Sequence, residues 1–259
     1  MQPITPIFSI ITVVFNGLDL LKGTMESVAA QRFGDYEHLI IDGASKDGTP
    51  QYLAEIASQK DSKIRFVSQP DKGLYDAMNK SFGLAKGDFL LFLNAGDHFF
   101  DTTTLENLAK NITPQTDVIY GEVMLVDDAR THIGTRSQLS PQRLPDALTW
   151  QNMRFGMVVC HQAFLVRRQM PPPQYIPQNL SADIDWVIRC LKNSRQTVHS
   201  HQIIAEYLMG GLSKKRHHQS LKDRYQILKN HFGFFPNILA HAWILARAAF
   251  FKIFRKQQY

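Results

Sequence analysis

Cysteine is scarce: Cys160 and Cys190 are the only two in 259 residues. Two are too few for a disulfide scaffold, and neither has metal-ligand spacing, so a reducing, cytoplasmic setting is expected. Long apolar runs are also missing. The longest candidate, Ile238–Phe251, is interrupted by His241 and Arg247, short of the roughly 18 apolar residues that a membrane span needs. The run Phe8–Phe15 has neither a basic leader nor a small-residue cleavage site, so it reads as a strand rather than a signal peptide. No G-x-G-x-x-G follows that strand, which argues against nicotinamide binding. Gly43–Gly48 has phosphate-loop spacing, but Thr49 stands where the lysine belongs. His199-Ser200-His201 and His217-His218 have no second cluster of the kind a structural zinc site uses. They read as a solvated strand edge and a basic surface helix.

What is present is a core. Apolar residues make up 44% of the chain and charged ones 20%, with 17 Phe, which excludes a disordered chain. The net charge of +6 conceals an asymmetry. Residues 214–259 hold ten Lys/Arg against the single Asp223, whereas residues 1–213 hold 19 against 22 acids. The body is mildly acidic and the tail basic. A nucleic-acid-binding core is not expected; a tail that meets an anionic surface is.

β-Branched strand patterns alternate with helical ones through the first half. Strands are expected at Phe8–Phe15, His38–Asp42, Ile64–Ser68, Phe89–Leu93 and Asp117–Val126. Helices are expected at Leu18–Gln31, Thr49–Ser58, Leu74–Ala85 and Thr103–Asn111. Continuous apolar strands separated by helices predict an α/β fold with a mostly parallel sheet covered on both faces. Later, Ser137–Pro145 reads as a loop, Val158–Val166 as a strand and the proline-rich Pro171–Pro177 as extended. Asp183–Leu191 reads as a helix, Val198–Ala205 as extended, and Gly210-Gly211 as a break. One domain over 1–213 with a helical extension over 214–259 is expected.

Ligands of parallel sheets bind beyond the carboxyl ends of the strands, so Asn16, Asp42, Asp71 and Asp97 draw interest. Asp42 and Asp97 each close an apolar strand, where a carboxylate can meet a ligand or hold a hard cation that bridges a diphosphate. Helix capping competes with ligand contact for both, and for Asp47 capping is the better reading.

The segments FSIITVVFNG, LIIDGASKDGT, QPDKGLYDAMNKSFGLAKGDFLLFLNAGDHF, HQAFLVRR and SADIDWVIRCLKN together resemble the family-2 inverting glycosyltransferases of the GT-A fold. Within that family the resemblance is to the subgroup that builds exopolysaccharides such as colanic acid or amylovoran. It runs from Phe8 to Ser213. It implies a Rossmann-like sheet, a nucleotide-sugar donor, a UDP-sugar first among them, and a glycan or lipid-linked acceptor. By resemblance Asp42 meets the base or ribose, with Thr12, Val14 and Asn16 shaping the pocket. Asp71, Gly73, Asp76 and Asn79 match the segment lining the nucleotide and sugar. Relatives often carry Arg where Met78 stands. Asn94-Ala95-Gly96-Asp97 occupies the Asp-x-Asp position with Asp97 as the only carboxylate, the expected ligand of Mg²⁺ or Mn²⁺. Asp183 corresponds to the catalytic base. Asp185 lies about 200° further round the helix and is set aside. His161 and Gln162 match a pair on the acceptor side, where a core histidine is an equal alternative. Lys214 would offset diphosphate charge from a mobile segment.

Two other classes compete: a nucleotide-sugar-binding protein without turnover, and a nucleotidyltransferase, for which Asn16-Gly17-Leu18-Asp19 supplies no phosphate grip. In the tail, Leu239, Trp243, Ala246, Phe250 and Ile253/Phe254 recur at helical spacing with Arg247, Lys252, Arg255 and Lys256 as cationic heads. The pattern suits a helix lying on the inner face of an anionic membrane. Packing on the body or on a second subunit is the alternative.

Overall fold

The computed structural model describes residues 5–170, 173–210 and 217–255. Seven-residue β1 (Phe8–Val14) is buried at every position, as its β-branched run requires of a central strand. Helix α1 (Leu18–Ala29) leads to β2 (Tyr36–Asp42), α2 (Thr49–Ala57) to β3 (Ile64–Ser68), and α3 (Leu74–Phe82) to β4 (Phe89–Phe92). The pairings of β1 with β2, of β2 with β3 and of β1 with β4 are all parallel. These are the strands and helices expected from hydrophobic pattern, with boundaries moved by a few residues.

The second half completes the sheet through elements with weaker patterns. These are β5 (His98–Phe99), α4 (Thr104–Ala109), β6 (Thr116–Val126), β7 (His132–Thr135), the helical turn α5 (Arg136–Leu139), β8 (Phe164–Arg167), α6 (Ala182–Asn193) and β9 (Gln196–Leu208). The order is β3-β2-β1-β4-β8-β6-β9-β5, with β7 on β6. Because β8 runs against both β4 and β6, and β9 runs with β6, six of the nine strands share one direction. The sheet is mostly parallel, as expected, and its carboxyl edge gathers Val14, Asp42 and Ser68 in register.

Two local expectations fail. Residues 137–145 are not wholly loop: Thr135 and Gln138 form a capping box that starts α5. The strand expected over Val158–Val166 is confined to Phe164–Arg167, because a 3₁₀ turn at His161–Ala163 precedes it. That turn aims His161 and Gln162 inward instead of alternating them.

On one face of the sheet, Trp186 of α6 is fully buried. It stacks on Tyr175 at 5.0 Å and meets Phe92 edge-on at 6.0 Å. This aromatic packing fixes the rotation of α6, and with it the placement of Asp183 one turn earlier. Helix α7 (His217–Phe232) adds Ile227 and Leu228 to the same core. Helix α8 (Phe234–Arg255) then lies against the body. Ala240 and Asn237 are buried, and Arg247 Nη2 donates to Phe155 O at 3.2 Å.

Candidate active site

The loops after β1 and β2 are stitched together at the carboxyl edge. Asn16, at φ 48°, accepts from the Lys46 amide with Oδ1 at 2.8 Å, and its own N–H donates to Ser45 Oγ at 2.7 Å. Asp47 accepts from the Leu18 amide and from the amide and hydroxyl of Thr49. It therefore serves both helix starts, and these bonds hold its carboxyl below the usual range. The loops enclose a hollow of about 310 Å³ lined by Asn16, Gly17, Leu18, Asp19, Leu20 and Asp47.

Asp42 lies at the bottom of this edge, fully buried, accepting from Ser68 Oγ at 2.6 Å and from the Ser45 amide at 3.1 Å. A Cβ on Gly43 would lie 2.8 Å from Asp71 Oδ2 and 3.1 Å from Phe15 Cδ2. Glycine there lets Asp71 and Phe15 close on the strand end. Phe15 is 66% exposed, an aromatic face beside the hollow that hydrophobic pattern alone assigned to the strand.

Asp97 follows β4 through a turn in which its amide donates to Asn94 O at 2.9 Å. Its carboxylate is buried. Oδ2 accepts from Gln162 Nε2 at 3.0 Å, and Oδ1 accepts from the Leu208 amide at 3.0 Å. Burial pushes its pKa up to about 7, against the pull of these two donors and of Arg130. Asn94 Oδ1 is a buried acceptor with no hydrogen-bond partner. A hard divalent cation takes oxygen donors of this kind. The donor set fits a metal.

Asp183 sits in the first turn of α6. The Ile184 amide donates to its Oδ1 at 3.0 Å, and Tyr75 of α3 acts on its ionised form. Burial raises its pKa, while Tyr75 and Arg136 pull it down. Asp185, as expected, points elsewhere. It accepts from Arg189 Nε at 2.8 Å and pairs with His231 of α7 at 2.7 Å. Asp97, Asp183, Cys160 and Arg136 all act electrostatically on Tyr207 of β9.

Other residues singled out in the sequence hold the scaffold. Thr12 is fully buried, donating to Leu93 O at 2.8 Å and accepting from His38 Nε2, whose ring burial keeps neutral with a pKa of about 3. Val14 is buried among Leu21, Met25 and Leu53. Asn79 clamps the backbone of Tyr175 through both side-chain atoms, at 2.7 and 2.9 Å. Asp71 Oδ1 accepts from the Gly73 amide, and Asp76 from the Lys72 amide, at 3.0 Å each. Gly73 takes φ 121° to open α3. His161 is a core histidine that shares a 2.5 Å hydrogen bond with the Tyr175 hydroxyl, its pKa lowered by burial to about 3. Gln162 reaches Asp97. Lys214 lies outside the described residues. Tyr75, Phe15, Arg130, Arg136 and Tyr207 join the site without having been singled out, because no motif spacing marks them.

The arrangement combines a buried carboxylate for a cation, a second acid with a raised pKa and a hollow at the carboxyl edge of a parallel sheet. Residues 9–171 match the Glycosyl transferase family 2 domain, and the chain belongs to that family. It is a glycosyltransferase. A PGL/p-HBAD biosynthesis glycosyltransferase of Mycobacterium bovis is 32% identical over 215 residues, covering 80% of this chain and 79% of that one. Among solved structures, Staphylococcus aureus TarS in complex with UDP-GlcNAc superposes with a TM-score of 0.67 at 19% identity over 85% of this chain. This chain spans 64% of that TarS chain. The mannosyltransferase PcManGT of Pyrobaculum calidifontis, in complex with GDP-Man and Mn²⁺, gives 0.68 at 14% identity over 94% of this chain and 73% of its own. These structural likenesses establish a shared GT-A-type fold.

Proposed function

We propose that this glycosyltransferase moves a sugar from a nucleoside-diphosphate sugar, a uridine diphosphate sugar first among candidates, to a hydroxyl of a glycan or lipid-linked acceptor, with inversion. The acceptor class follows the exopolysaccharide resemblance, which supports a position on the cytoplasmic face of the membrane. The observation that supports the reading is the buried Asp97 carboxylate, placed after β4 of the parallel sheet, in a chain of the Glycosyl transferase family 2.

Asp183 is the base. Burial raises its pKa, which strengthens it as a proton acceptor, while Tyr75 favours the ionised form. The acceptor hydroxyl gives its proton to Asp183 and attacks the anomeric carbon as the nucleoside diphosphate leaves. One displacement inverts the configuration, and no covalent enzyme intermediate is formed. Asp97 with Asn94 would hold Mg²⁺ or Mn²⁺, which supplies positive charge to the departing diphosphate. Asn16 and Asp42 shape the nucleotide end of the cleft, with Phe15 offering a stacking face to the base. Asp71, Gly73 and Asp76 border the donor, and Gln162 positions Asp97. Lys214, outside the described residues, would offset diphosphate charge.

Helix α8 supports a membrane-facing role. Leu239, Trp243, Leu245 and Phe250 are each more than half exposed, while Asn237, Ala240 and Arg247 fasten the helix to the body. By length and composition the helix is apolar enough to cross a membrane, which the sequence reading did not expect. Its attachment to the body favours lying in the interface plane.

The test is a panel of nucleotide sugars scored for thermal stabilisation and for release of nucleoside diphosphate, with and without Mn²⁺. One donor should stabilise the protein and turn over with a lipid-linked acceptor. Binding without turnover under every metal would assign a non-catalytic binding role.

A further inference from the structure

The histidine pair His199 and His201 in β9, expected at a solvated strand edge, lies against a carboxylate from a distant loop. Regular pairing breaks here. Tyr120 pairs with His199 and Glu122 with Ile203, so residues 200–202 of β9 bulge opposite Gly121 alone. A Cβ on Gly121 would lie 2.7 Å from both Gln202 O and Ser200 Oγ, so glycine lets the bulge close. Ser200 Oγ donates to Tyr120 O at 2.9 Å. Within the bulge His201 takes φ 55°, a conformation uncommon outside glycine and asparagine. The result turns the His201 ring onto that of His199, 4.1 Å between centroids.

Tyr120 organises the third component. Its ring stacks flat on His199 at 4.7 Å. Its hydroxyl is 2.8 Å from the carbonyls of Pro145 and Asp146 and accepts from the Leu148 amide at 3.1 Å. The loop that carries Asp146 is thereby held beside the bulge. One ligand atom each from Asp146, His199 and His201 lies within 4.8 Å of the other two. His199 Nδ1 is buried without a hydrogen-bond partner, 3.9 Å from Asp146 Oδ1. Buried polar atoms are nearly always paired, and an ion would be the partner of this one. Burial and the neighbouring His201 keep His199 below its usual pKa, against the opposing pull of Asp146 and Glu122.

We propose that Asp146, His199 and His201 form a site for a divalent transition-metal ion of the zinc class. Two imidazoles and one carboxylate suit Zn²⁺ or Co²⁺ rather than Mg²⁺, which prefers oxygen donors. The Asp146 side chain is 97% exposed and free to close onto the ion, since metal–ligand bonds of about 2.0–2.1 Å demand tighter spacing than 4.8 Å. Three protein ligands leave a fourth position for water. The bound ion ties the β9 bulge to the 145–148 loop, and it shares no residue with Asp97 or Asp183.

The test is calorimetric titration of the chelator-treated full chain with Zn²⁺, repeated with Co²⁺ while the visible absorption of the bound ion is recorded. Wild type and Asp97→Ala should bind one equivalent equally well and show the same cobalt spectrum. Asp146→Ala and His201→Asn should weaken binding at least about tenfold and abolish that spectrum. Asparagine tolerates the left-handed backbone at 201, and Asp146 is exposed, so both variants should fold. Equal zinc binding in all four proteins, or loss only in Asp97→Ala, overturns the proposal.

Discussion

Gln162 Nε2 donates to Asp97 Oδ2 at 3.0 Å, joining the turn before β8 to the turn after β4. Through this bond Gln162, which the resemblance placed on the acceptor side, supports the carboxylate expected to hold the cation. Asp97→Ala should weaken nucleoside-diphosphate binding about tenfold or more in Mn²⁺ and little in chelator. Calorimetry under both conditions checks this. Equal affinities of wild type and variant throughout would remove the metal from Asp97.

Asp183→Asn should lower transfer by about 10²–10⁴ while donor affinity stays near wild type. The amide keeps the shape but cannot accept the proton of the acceptor. Single-turnover transfer beside donor titration separates these outcomes, and wild-type turnover would move the base to another residue.

Tyr75→Phe tests the tuning of that base. Tyr75 lowers the Asp183 pKa against the larger effect of burial, so its removal should shift the acid limb of the kcat profile to higher pH. An unmoved limb would disconnect Tyr75 from the base.

Asp97 also makes stability depend on pH. Its carboxyl titrates near 7 when folded and near 3.9 when unfolded, so between these values the folded state binds more protons. Stability of the metal-free protein should therefore fall as pH rises from about 4 to about 7. Asp97→Asn should remove that part of the slope in chelator-treated melting curves. An unchanged slope would assign the pH dependence to other groups.

The full chain should co-sediment with anionic vesicles and lose binding as salt rises, because basic heads flank the apolar residues of α8. Deletion after Phe235 should abolish sedimentation. If the truncated protein sediments equally well, α8 is a packing element.

The first four strands and three helices were legible because each carries a strong apolar period, and Asp97 because it ends an apolar strand. Asp183 was legible through resemblance, and helical geometry alone separated it from Asp185. Other features depended on contacts between segments far apart in sequence. Strand β5 has two residues, too few for a period, and exists because β9 offers an edge at Ala205 and Glu206. Thr12 and Asn79 read as pocket residues by position, yet their hydrogen-bonding groups are taken by Leu93, His38 and Tyr175. Tyr75 and Tyr207 reach the acids from α3 and β9, which no local spacing relates. His199 and His201 were visible as a pair, but the neighbouring Asp146 carboxylate came from a loop that hydrogen-bonds to Tyr120. Local pattern determined which segments become strands and helices. The close-packed interior decided which polar groups are bound by the protein itself and which remain for a ligand.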